Sequence, residues 1–241
     1  MPAVPDQHSA LGLQTVSMPA GTITALRAQE KDPQRVNVFV DGAYALGVSL
    51  TTVSRERLYV GQQLSDEDYA RLERTESADK ALHTALRAIE SRPRSLAELR
   101  ERLQRKGFAP EASAAAIERM QELGLADDAA FARYWIENRQ TYRPRGAGAL
   151  RSELRRKGVD PTVIGDAIEA SDHYGDEGER ALSVGRAALH KYSGATDYNV
   201  FARRLGGFLQ RRGFGFEVVR PAVDKLWQEL DRTDDSEELA E

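Results

Sequence analysis

The sequence predicts a mainly α chain in which tandem three-helix units form an elongated, curved body behind a small β-rich segment. Three observations carry that expectation. A ten-residue helix-end motif occurs three times, at spacings of 51 and 55 residues. An Asp-Gly pair stands between two alternating apolar runs near the N-terminus. Basic charge gathers around the three copies of the motif, although the chain as a whole sums to -4.

The elements follow in order. Residues 1–20 hold three prolines and no hydrophobic period, the composition of a disordered arm. Residues 21–72 read as a β-rich domain with covering helices. Ile23, Ala25 and Arg27 lead into the breaker-rich run Lys31 to Gln34. Val36, Val38 and Val40 then alternate with Asn37 and Phe39 up to Asp41-Gly42, and Ala43 to Val48 return. Asp-Gly suits a hairpin because both central turn residues need positive φ. About three strands result, too few to be stable without a helix against one face. Leu50 to Leu58 reads as a short helix, and Ser65 with Asp66, Glu67 and Asp68 as the capped, acidic first turn of another.

From residue 73 onward the motif organises the chain. Leu99-Arg-Glu-Arg-Leu103-Gln-Arg-Lys106-Gly107-Phe108 aligns without gaps with Leu150-Arg-Ser-Glu-Leu154-Arg-Arg-Lys157-Gly158-Val159. Both align with Leu205-Gly-Gly-Phe-Leu209-Gln-Arg-Arg212-Gly213-Phe214. Leucines four apart share a helix face. Glycine ends the helix in the left-handed conformation, the next hydrophobe folds back on the last turn, and the cation before it meets the negative end of the dipole. Pro110, Pro161 and Phe216 then open a following helix, and Ile117, Ile168 and Val223 lie at matching positions on it. Upstream, Leu82, Leu86 and Ile89, then Phe131, Trp135 and Ile136, then Leu182, Ala188 and Leu189 mark a first helix in each copy. Three-helix repeats are expected at 73–126, 127–174 and 175–230, with linkers around Ala126 and from His173 to Gly178 and an acidic disordered tail at 231–241. The glycines Gly206 and Gly207 weaken the third middle helix.

Composition narrows the function. Charged residues make up 30% of the chain, mean hydropathy is -0.55, and no apolar run approaches the roughly 18 residues of a membrane span. There is no cysteine, so a disulfide framework, a thiolate metal site and a cysteine nucleophile are excluded. Met1 to Ala20 do not resemble a signal peptide, and a cytoplasmic location is expected. The four histidines have no metal-ligand spacing, and no glycine-rich loop precedes Lys-Ser/Thr, so no metal, cofactor or catalytic residue is expected.

The net charge of -4 conceals a segregated pattern. Arg92 to Lys106 hold six basic and two acidic residues, Arg139 to Gly158 seven and one, and Arg203 to Arg220 five and one. Glu229 to Glu241 hold seven acids and one arginine. The candidate binding residues are Arg94, Arg100, Arg105 and Lys106 in the first copy. In the second they are Arg139, Tyr142, Arg143, Arg145, Arg151, Arg155, Arg156 and Lys157, and in the third Arg203, Arg204, Arg211 and Arg212. Cations near helix C-termini also serve as solvated dipole partners. Their recurrence in three copies exceeds what capping needs and points to a long anionic partner such as single-stranded nucleic acid or a nucleoprotein filament. Phe131 and Trp135 read as core, and Tyr142, between two arginines, as a contact.

The string Ala85-Leu86, Ser91 to Ser95, Glu98-Leu99, Leu103 and Lys106 to Phe108 resembles the first repeat of the RecX family, bacterial regulators of the RecA recombinase. Asp127-Asp128, Phe131-Ala132, Trp135-Ile136, Arg139, Gly146, Leu150, Glu153-Leu154 and Lys157 to Val159 resemble the second. The third copy departs most. The resemblance, over roughly Ala78 to Leu230, implies a non-enzymatic modulator lying in the groove of the RecA-DNA filament. Its expected effect is negative regulation of recombination, ATPase and coprotease activities in DNA repair and the SOS response. It also implies RecA as partner, with single-stranded DNA as a second contact and a monomeric state. Two other readings compete: a free-standing DNA-binding protein of helix-turn-helix type, and a helical scaffold whose basic faces are only solvated.

Overall fold

The computed structural model describes residues 20–171 and 176–238, with side chains described to residue 230. The arm at 1–19, residues 172–175 of the second linker and the last three residues lie outside it. The chain divides into two compact units, residues 1–80 and 81–241.

The first unit is a four-stranded antiparallel sheet in the order β3-β2-β1-β4, formed by β1 (Gly21–Gln29), β2 (Asp32–Val40), β3 (Ala43–Ser49) and β4 (Gln63–Leu64). Asp41 and Gly42 both take positive φ between β2 and β3, as the Asp-Gly pair predicts. The two-residue β4, paired with Gly21 and Thr22, is an addition to the expected three strands. Its two residues carry no alternation to read. Val36, Val38, Val40, Leu46 and Val48 point to one face, where Ile23 and Leu72 close the core. Leu72 comes from α2 (Asp66–Ser91), and α1 (Leu50–Arg55) precedes it. On α2 the buried Glu76 accepts from Arg35 and from the Ser49 amide, tying the helix to β2 and β3.

The second unit holds three three-helix repeats. α2 runs without a break across residues 72 and 73, and its second half packs with α3 (Leu96–Arg105) and α4 (Pro110–Glu122). The second repeat is α5 (Asp128–Tyr142), α6 (Ala147–Arg156) and α7 (Pro161–Ala170). The third is α8 (Glu177–Ala188), α9 (Tyr198–Arg211) and α10 (Phe216–Glu238). All six motif leucines, Leu99, Leu103, Leu150, Leu154, Leu205 and Leu209, are buried in the three cores.

Each middle helix ends in the same double hydrogen bond. Phe108 N–H donates to the Leu103 carbonyl and Gly107 N–H to that of Gln104; Val159, Gly158, Phe214 and Gly213 repeat the pattern. This is the glycine-closed helix end that the motif encodes. α9, which holds the Gly206-Gly207 pair, has 14 residues against 10 in α3 and α6, because Asp197 caps it a turn earlier by accepting from Val200 N–H. The helical backbone of α10 continues to Glu238, where a disordered tail from 231 was expected, since no Gly or Pro after Leu230 stops propagation.

Candidate functional site

The motif does two jobs, and the structure separates the residues that do them. At the end of α6, the Lys157 carbonyl accepts from Ser95 Oγ at 2.6 Å, and Ser95 is the buried N-cap of α3. At the end of α9, the Arg212 carbonyl accepts from Gly146 N–H at 3.0 Å and the Gly213 carbonyl from Gly148 N–H at 3.1 Å, both at the start of α6. The negative end of one middle helix therefore receives the positive end of the next, in the order α9, α6, α3. Glycine is required there twice over. Gly158 and Gly213 have φ of 75° and 89°, and a Cβ on either would lie 2.4 or 2.3 Å from the Cβ of Ala97 or Ala149.

A second contact repeats across both junctions. Leu96 N–H donates to Asp128 Oδ1 at 2.9 Å, and Ala147 N–H donates to Glu177 Oε1 at 2.8 Å. Asp128 and Glu177 are the first residues of α5 and α8, each next to its N-cap aspartate. Each acid satisfies an amide left open at the first turn of the neighbouring middle helix. Burial raises the Asp128 carboxyl above its ordinary value, against the lowering effect of the Leu96 bond.

The junction of the first two repeats also takes up one candidate cation, Lys157, and the second repeat's own helices take up Arg139 and Arg145. Lys157 Nζ donates to Glu98 Oε1 at 2.8 Å, and Arg92 holds the same carboxylate with two bonds of 3.0 Å. Burial works to raise Glu98, but the hydrogen bonds from Arg92 and Lys157 outweigh it and bring the carboxyl down to about 2. Lys157 Nζ also sits 4.3 Å from the Trp135 ring centroid, with the Arg139 guanidinium 4.4 Å from the same ring. Glu153 accepts from Trp135 Nε1 and Arg139 Nε at 2.8 and 2.7 Å, with Arg145 3.9 Å away. Burial opposes ionisation of Glu153 as well, and the Arg139 and Trp135 bonds lower it on balance.

The other candidates divide accordingly. Arg94 donates to the Ala88 carbonyl, Arg105 pairs with Glu101 at the surface, Arg204 lies against Tyr192 and Arg212 against Phe208. Arg100, Lys106, Arg143, Arg151, Arg155, Arg156, Arg203 and Arg211 are exposed and make no hydrogen bond or close ion pair among the described residues, while the charges of Arg100 and Arg203 act at longer range on Asp128 and Asp197. Tyr142 is 76% exposed and Trp135 half-buried against the core. By the motif alignment, Arg100 corresponds to Arg151, and Arg105 to Arg156 and Arg211, so the exposed cations recur in register. Sequence reading missed Ser95, Glu98, Glu153 and Glu177, although Ser95 with Glu98 is a legible capping box.

Comparison with known proteins decides the family. Four family models match in chain order: the N-terminal domain of regulatory protein RecX at residues 21–65, then the first, second and third RecX three-helix domains at 81–120, 127–168 and 176–223. The Lactobacillus johnsonii regulatory protein RecX is 32% identical over 89% of this chain and 78% of its own length. The chain belongs to the RecX family. The Bacillus subtilis RecX is 28% identical over 90% of this chain and 81% of its own, and the Mycobacterium avium RecX 37% over 60% and 83%. A crystal structure of a regulatory protein RecX shares the fold with a TM-score of 0.71 at 21% identity, covering 85% of this chain and 99% of that one. RecX from Lactobacillus salivarius gives 0.56 at 20% identity, over 65% and 98%. The relatives are named regulatory protein RecX, and the chain belongs with these regulators. Among the described residues no helix is long and apolar enough to cross a membrane.

Proposed function

We propose that this RecX-family chain binds the RecA-DNA filament in its groove and restrains recombination, ATPase and coprotease activity. The observation that carries the reading is the division among the cations. Lys157, Arg139 and Arg145 are used inside the protein, while Arg100, Arg151, Arg156 and Arg211 recur exposed on middle helices joined end to end. Repeated cations in fixed register match a partner whose charge also repeats, and several weak contacts along it multiply in affinity. The exposed set, with Lys106, Tyr142, Arg143, Arg155 and Arg203, supplies the contacts. The held set, including Arg94, Arg204 and Arg212, positions them.

On this reading the chain acts as a monomer in the cytoplasm, and single-stranded DNA is a second contact within the filament. The test is RecA ATPase on single-stranded DNA, titrated with this protein. Falling turnover at stoichiometric amounts is expected, and unchanged turnover would rule out the inhibitory role. A freely acting duplex binder would instead leave a sequence-specific footprint on DNA without RecA.

A further inference from the structure

The third repeat carries a feature that the other two lack. At the aligned positions where α3 has Arg100 and Glu101 and α6 has Arg151 and Ser152, α9 has Gly206 and Gly207. Two glycines inside a helix are destabilising relative to alanine. Packing does not ask for them here. A Cβ on Gly206 would meet Val219 and Val223 at 3.5 and 4.0 Å, ordinary contact distances, and one on Gly207 would meet only the flexible end of Arg211.

What the glycines create is a groove between α9 and α10 of about 370 Å³, room for one large side chain and its neighbours. Its floor is apolar, made by Ala202, Gly206, Val219 and Val223. Phe216, 64% exposed, lines it as well. Arg203 on α9 and Arg220 on α10 are its lining cations, and the described residues lining it include no carboxylate. Asp224, which accepts the Tyr198 hydroxyl, is not among the lining residues.

From this arrangement we infer that the α9–α10 groove is a docking site for an acidic peptide segment of a partner protein, with one bulky apolar side chain as anchor and an acid on either side of it. The apolar residue fills the floor that the glycines leave open, and the flanking acids meet Arg203 and Arg220. Two lining arginines are few for a polynucleotide, which carries a charge at every nucleotide and gains affinity from many cations. The inference goes beyond filament regulation; it shares Arg203 with that reading and no basic residue of the first two repeats, and shifts at Gly206, Gly207, Val219 and Val223 report the groove apart from the filament contacts.

The experiment follows amide resonances of the full chain during titration with the blocked hexapeptide Glu-Asp-Leu-Phe-Asp-Glu, and separately with a ten-residue oligothymidine. The expected result is peptide-dependent shifts at Gly206, Gly207, Val219 and Val223 with a dissociation constant of about 1 mM, as befits a single-anchor contact. Replacing both Arg203 and Arg220 by Glu weakens peptide binding at least about tenfold while the exposed sites leave the fold intact. Gly206→Ala raises Tm by about 2–4 °C, which separates the groove's demand from the fold's, and Gly206→Leu fills the floor and reduces binding about fivefold or more. No groove shift up to about 5 mM peptide overturns the proposal. So does a larger groove response to the oligothymidine, or a lower Tm for Gly206→Ala.

Discussion

The ammonium of Lys157 reaches the carboxylate of Glu98 at 2.8 Å, joining the end of the second repeat's middle helix to the start of the first's. The Lys-Gly pair recurs in the first repeat as Lys106-Gly107, where the space beside the glycine is open. Chemically equal residues thus have different work. Lys157→Ala should destabilise the chain by about 1–2 kcal/mol, because Glu98 keeps Arg92 but loses its second cation. Lys106→Ala should stay within about 0.5 kcal/mol of wild type. Urea unfolding of both variants checks the contrast, and equal losses would contradict it.

The three motif glycines should rank in the same way. Gly107→Ala meets only the penalty of positive φ, about 1–2 kcal/mol. Gly158→Ala and Gly213→Ala add a collision with Ala97 or Ala149 and should cost about 3 kcal/mol or more. Thermal unfolding of the three single variants gives the order directly. A Gly107 variant as damaged as the other two would mean that its end is also filled.

Acid should loosen the first junction through Glu98. Its folded carboxyl ionises near 2 and its reference value is 4.5, so the ionised form stabilises the fold above about 4.5. That contribution is lost as pH falls from 4.5 toward 2, with an upper bound of about 3 kcal/mol. Comparing wild type with Glu98→Gln by urea unfolding at neutral pH and in acid should show the gap between them shrinking as pH drops. A constant gap would contradict the assignment.

Ser95→Ala removes both the N-cap of α3 and the bond to the Lys157 carbonyl. The site is buried, so a loss of about 2 kcal/mol is expected, toward the upper end for a cap. Hydrogen exchange locates the damage: faster exchange should reach Gly158 and Val159 in the second repeat as well as α3. Exchange changes confined to α3 would contradict the shared junction.

Much of this architecture was legible because local chemistry encodes it. Leu99 and Leu103, their counterparts, the glycines after them and Pro110 and Pro161 each announce a helix face, end or start. The junctions were not legible. Nothing in the sequence around Lys157 tells that its carbonyl meets Ser95, 62 residues away, because that contact depends on how the repeats stack. The same limit applies to the candidate site. A run such as Arg155-Arg156-Lys157 reads as one basic cluster, yet helix geometry turns Lys157 toward Trp135 and Glu98 and leaves Arg155 and Arg156 to solvent. Glu153 stands in the string that resembles the second repeat without a role assigned to it, and in the fold it gathers Trp135 and Arg139.

In the proposed mode of action, exposed arginines in register bind the filament while the held cations fix the repeats. Its most direct test is the salt dependence of binding to RecA assembled on single-stranded DNA, for wild type and for a variant with Arg100, Arg105, Arg151, Arg156 and Arg211 all replaced by Ala. The expected result is an unchanged unfolding midpoint, a loss of affinity of about 100-fold or more near 0.1 M salt, and a logarithmic salt slope reduced by about 3–4. Wild-type affinity and slope in that variant would contradict it.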